Sequence, residues 1–175
     1  MSNFMHTMAV DTFVPMLESL SEILAKGAAH AAQRNIDLVN AKLAPDMYTL
    51  ARQVELACHY AADTTSRLMG NPARQIAEID GKTSDDLRKL IASSIEGVKA
   101  AREEAFAGAE DRDCNIPIPN GMVIEMNGLQ FLRSWALPHF YFHVVTAYDI
   151  LRHNGVTIGK QDYLSQVGRF IRQTQ

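Results

Sequence analysis

Four long segments in which apolar residues recur at helical spacing, broken by one short stretch of period two, constrain this chain more than any other feature. In the first, Phe13, Leu17, Leu20, Leu24, Ala28 and Ala31 fall on one stripe. Asp11 or Thr12 is placed to cap it, with Pro15 in the first turn. A start near Met5 instead puts Pro15 inside the helix as a kink. The second segment reads as a helix from Pro45-Asp46 to Met69, stopped by Gly70-Asn71-Pro72. Its core line is Leu50, Val54, Ala57, Ala61 and Leu68, with Gln53 beside it. The third opens on Thr83-Ser84-Asp85-Asp86, with acids at the positive end of the helix dipole. Its stripe is Leu87, Ile91, Ser94, Val98, Ala101 and Ala105. Asn127 can cap the fourth, which ends at Arg152-His153-Asn154-Gly155. Pro138 lies within it and is expected to kink or divide it just before His139.

The period-two stretch lies between the third and fourth segments. Asn115 to Pro119 and Met122 to Met126 flank Asn120-Gly121, the pattern of a small hairpin with a tight turn. A last short helix is expected around residues 162–167, with a fraying tail beyond Gly168. The pattern predicts a single all-α domain over residues 1–175: a four-helix bundle with a small β-hairpin between the third and fourth helices.

Composition narrows the function classes. Formal net charge is −3 and the pI about 6.0, which gives no basic face for nucleic acid. Cys58 and Cys114 make neither a disulfide framework nor a CxxC pair, so a reducing compartment is expected. No signal peptide is evident at Met1, and no apolar run reaches the roughly 20 residues of a spanning helix. A soluble, cytoplasmic protein with no membrane contact is the expectation. P-loop, GxGxxG, GxSxG, HExxH and paired ExxH motifs are absent.

His139-Phe140-Tyr141-Phe142-His143 is the stretch that carries chemistry. Two histidines four residues apart stack on one helical face, where both imidazoles can reach one divalent ion at about 2.0–2.1 Å. The structural alternative is a pair of partly buried histidines bonded to neighbours. Asp46 reads as a helix-start residue or as a carboxylate orienting a histidine. Tyr141 and Tyr148 are candidates to supply a hydroxyl to a pocket, and core packing is their alternative. Cys58 reads as packing and His153 as a helix-end cation.

The run from Leu137 through His139 and His143 to Gly155 resembles the last core helix of the DinB/YfiT-like superfamily. Asn40 to Met47, Leu50 to Val54, Gly108 to Arg112 and Thr146 to Tyr148 resemble, more narrowly, a bacterial subfamily known only as a domain of unknown function. The similarity spans about Phe13 to Tyr163. It implies an antiparallel four-helix bundle, often a homodimer, with a divalent metal (zinc, nickel or iron) held by three histidines. His139 and His143 match two of them; the place of the second-helix histidine is taken by Gln53, before Val54. An amide oxygen is a poorer zinc or nickel ligand than imidazole, so at that place Gln53 is weighed as a ligand or as a hydrogen-bond partner of one histidine, the latter preferred. His59, six residues further on, lies about 120° away around the helix.

Two function classes follow. One is a divalent-metal-dependent enzyme of thiol-dependent transferase or hydrolase type, with metal on His139, His143 and Gln53. The other is a non-catalytic dimeric bundle with a degenerate metal site, binding a small-molecule ligand or acting as a scaffold.

Overall fold

A computed structural model describes residues 3–76 and 82–172. The fold is mostly helical, with one two-stranded antiparallel hairpin. Helix α1 spans Phe4–Arg34 and is capped by Asn3, whose side chain accepts from the backbone of Met5 and His6. The early start places Pro15 inside the helix. Pro15 cannot donate to the carbonyl four residues back, and that residue, Asp11, is exposed to water.

Helix α2 spans Leu50–Leu68, several residues shorter at its start than the sequence indicates. Thr49 caps it, accepting from Arg52 N at 3.3 Å. The incoming loop supplies the carbonyls of Ala41 and Val39 to the amides of Leu50 and Ala51. Three donors of the first turn are thereby satisfied at Leu50, so nothing favours a start at Pro45-Asp46. Asp46 remains in an exposed turn before the helix. At the other end, Arg112 donates to the carbonyl of Leu68, and to that of Ala107 at 3.0 Å.

Helix α3 spans Ser84–Lys99 and opens on a reciprocal capping box between Thr83 and Asp86. Leu87, Ile91, Ile95 and Val98 are its buried residues. It ends before Ala101 and Ala105, and Ile95 takes the core position expected of Ser94. Strands β1 (Ile116–Ile118) and β2 (Met122–Ile124) pair with Ile116 opposite Ile124, around a turn with Asn120 at φ 71°.

The last long segment begins with α4, Gly128–Phe131, under an Asn127–Gln130 capping box. It passes through a π-helical turn, Leu132–Ala136, into α5, Leu137–His153. The expected break at Pro138 therefore takes the form of one widened turn, in which Leu137 N bonds to Leu132 O. Adding a residue to the turn absorbs the amide that proline lacks and re-aims the side chains that follow. A short α6, Lys160–Tyr163, and a 3-10 turn, Ser165–Phe170, complete the described chain.

The buried core joins α1, α2, α3 and α5. Helix α2 packs most closely on α5 and α3, and α1 on α3. Two contacts explain particular glycines. A Cβ on Gly128 would lie 1.8 Å from the Ala109 carbonyl oxygen, and one on Gly27 would lie 2.8 Å from Leu151 Cδ2. Among the described residues, no helix is long and apolar enough to cross a membrane.

Candidate functional site

The α2–α5 interface brings together Gln53, Tyr60, His139 and His143. Residues 53 and 60 are two turns apart on one face of α2, and 139 and 143 are one turn apart on α5. His143 is 6% exposed and Gln53 1%, so both polar groups need partners inside the protein. They find each other: His143 Nδ1 lies 2.7 Å from Gln53 Oε1. A carbonyl-type oxygen only accepts, so the proton of the neutral ring resides on Nδ1 and the Nε2 lone pair is bare. His139 is fixed in the same way, its Nδ1 donating at 2.7 Å to the Trp135 carbonyl oxygen in the π turn.

Aromatic rings complete the setting. The Tyr60 ring stacks on His139 with centroids 4.7 Å apart, and on His143 with centroids 5.5 Å apart. Trp135 lies 4.4 Å from His139, and Phe142 meets His143 edge-on at 5.3 Å. Burial drives the His143 pKa down to about 4, helped by the neighbouring His139, Arg52 and His59. The imidazole is therefore neutral at pH 7. Burial likewise raises the Tyr60 hydroxyl above its ordinary value.

The other residues singled out in the sequence lie elsewhere. Tyr148 packs edge-on against Tyr163, and Tyr141 against Phe140, two residues along the helix from His139 and so about 200° around its axis. Asp46 is exposed, with the capping role taken by Thr49. His59 contributes to a cavity of about 140 Å³ between α2 and α3, which Glu55, Cys58, Arg74 and Ser94 also line. Burial pushes the Cys58 thiol up to about 12, the behaviour of a packing residue. Tyr60 and Trp135 are the site residues that sequence reasoning did not select. The available signal was the seven-residue spacing of Gln53 and Tyr60, which places both on one helical face.

A family-type metal centre needs a third imidazole from α2. The resemblance puts that imidazole at the place of Gln53, whose oxygen is here committed to His143. Among the described residues, no group of three or more His, Cys, Asp or Glu side chains is placed to hold a metal ion. The donor set does not fit a three-ligand centre.

Comparison with known proteins agrees with this fold. Residues 5–164 match the family described as Domain of unknown function (DUF1993). The crystal structure of a DinB family member protein from Shewanella denitrificans is 37% identical, covers 91% of this chain and 90% of its own, and superposes with a TM-score of 0.79. No curated protein matches. The chain belongs to the DUF1993 family, a DinB-like group of helical proteins.

Proposed function

We propose that this protein is a DinB-like antiparallel four-helix bundle, a single domain and a cytoplasmic bacterial homodimer, whose metal position has become a hydrogen bond. In this reading His139 and His143 form a small-molecule binding site with no resident three-histidine metal. The observation that carries it is the 2.7 Å contact between Gln53 Oε1 and His143 Nδ1. It engages the Gln53 oxygen in orienting the His143 ring through Nδ1, so this residue supplies no lone pair on the Nε2 side. The bare Nε2 of the neutral His143 ring accepts a hydrogen bond, which suits an uncharged ligand carrying N–H or O–H groups. The exposed rings of Phe142 and Tyr141 on α5 give the apolar surface that a second copy would cover.

A second reading keeps the site as a divalent-metal-dependent enzyme of thiol-dependent transferase or hydrolase type. One observation favours it. Both histidines donate Nδ1–H to a carbonyl oxygen, the arrangement that orients metal-ligating imidazoles. Thermal denaturation with zinc, nickel, manganese and iron(II) separates the two. The binding-site reading expects no metal-dependent rise in melting temperature, with His143→Ala lowering stability of the metal-free protein. A rise with any of the four ions that disappears in His143→Ala would instead establish a metal site at the histidine pair, as the enzyme reading requires.

A further inference from the structure

We propose that Tyr60 is the positioning residue of the histidine pair, and that it acts through its ring and not through its hydroxyl. The inference rests on the reading of His139 and His143 as the functional site, and it concerns what holds that site in shape. A single hydrogen bond from Nδ1 fixes one atom of an imidazole. The ring remains free to turn about the donor–acceptor line, and turning swings Nε2 away from a ligand. A stacked neighbour supplies the missing constraint by fixing the plane.

Tyr60 is the group that meets both rings. It lies at 24° to the His139 plane and 15° to the His143 plane, at 4.7 and 5.5 Å. Trp135 contacts His139, and Phe142 contacts His143 edge-on. Tyr60 thus couples two imidazoles whose hydrogen bonds are separate, one to a backbone carbonyl in the π turn and one to α2. Helix α2 supplies two matched contacts: Gln53 sets the azimuth of His143, and Tyr60, two turns on, sets both planes.

The hydroxyl has no comparable role. Tyr60 is half-buried, and its side-chain oxygen forms no hydrogen bond among the described residues. Its raised pKa keeps the proton in place at neutral pH, so it neither carries charge nor serves as a base. Stacking holds a ring's plane without reference to the substituent at the far edge, so phenylalanine should replace Tyr60 and a flexible aliphatic residue should not.

Long-range ¹H–¹⁵N spectra and ring ¹³C relaxation of the imidazoles in intact wild-type protein, Tyr60→Phe and Tyr60→Leu decide this. Wild type and Tyr60→Phe are expected to show both Nδ1–H bonds intact and each ring held in one orientation. In Tyr60→Leu, the Nδ1–H bonds are expected to persist while the population of turned ring orientations in at least one imidazole grows roughly five-fold, the effect of losing one stacked pair. Unchanged ring orientations in Tyr60→Leu would overturn the assignment. A change in Tyr60→Phe as large as that in Tyr60→Leu would move the role to the hydroxyl and overturn it equally. If Tyr60→Leu does not fold, Tyr60→Met takes its place under the same criteria. None of these outcomes depends on metal or ligand uptake, so failure here is distinct from failure of the binding-site reading.

Discussion

Across the α2–α5 interface, Nδ1 of His143 lies 2.7 Å from the side-chain oxygen of Gln53, and both residues are buried. The bond satisfies two polar groups that water cannot reach. Removing one partner therefore costs more than the bond itself contributes. Gln53→Ala is expected to destabilise the protein by about 1–3 kcal/mol, read by urea denaturation. A change within experimental error would show that His143 has another acceptor.

The same position offers a gain-of-function test. Gln53→His restores an imidazole opposite His139 and His143. Nickel or zinc is then expected to stabilise the variant by about 2.7 kcal/mol at a hundredfold excess over Kd. Thermal melting with and without metal measures this. An unresponsive variant would mean that the two histidine lone pairs do not converge.

Acid stability follows from the depressed pKa of His143. The folded value is about 4, against 6.5 for the free side chain. Between those values the unfolded chain binds the extra proton, so stability rises with pH across this window and falls on acidification through it. The contribution is fully present above about pH 6.5, and its loss on acidification is on the order of 3 kcal/mol by about pH 4. Urea midpoints of wild type against His143→Gln over pH 4–7 should show a steeper slope in the wild type. Parallel slopes would place the titrating group elsewhere.

Two glycines should respond differently to the same added methyl. Gly128→Ala drives its Cβ into the backbone oxygen of Ala109, which cannot move independently. A loss of about 3 kcal/mol is expected. Gly27→Ala meets the end of the Leu151 side chain, which can rotate, so the expected loss is about 1 kcal/mol. Equal melting temperatures for the two variants would refute the contrast.

Much of this architecture was legible in the chain. Thr83 and Asp86, Asn127, and the stop at Asn154-Gly155 mark helix ends through local chemistry alone, and each acts as expected. Gln53 is singled out by the resemblance, at the place of the second-helix histidine, and its role as a histidine partner is the one the fold shows. What the chain concealed depends on distant residues. Helix α2 begins at Leu50 because Val39 and Ala41 present carbonyls to it, a fact invisible at Pro45. Pro15 sits inside α1 because the Asn3 cap and the burial of Met5 and Ala9 outweigh one missing hydrogen bond. Tyr60 joins the site only because α5 lies against that face of α2. A proline rule gives a break at Pro138, and packing decides that the break is a π turn.

Metal content of tag-free protein, purified without chelator beside His143→Ala, tests most directly whether a hydrogen bond has replaced the metal centre. The expected result is well under about 0.1 equivalent of any transition metal in both proteins, because two imidazoles complete only half of a tetrahedral site. About one equivalent in the wild type, lost in His143→Ala, would contradict it and make the histidine pair a metal centre.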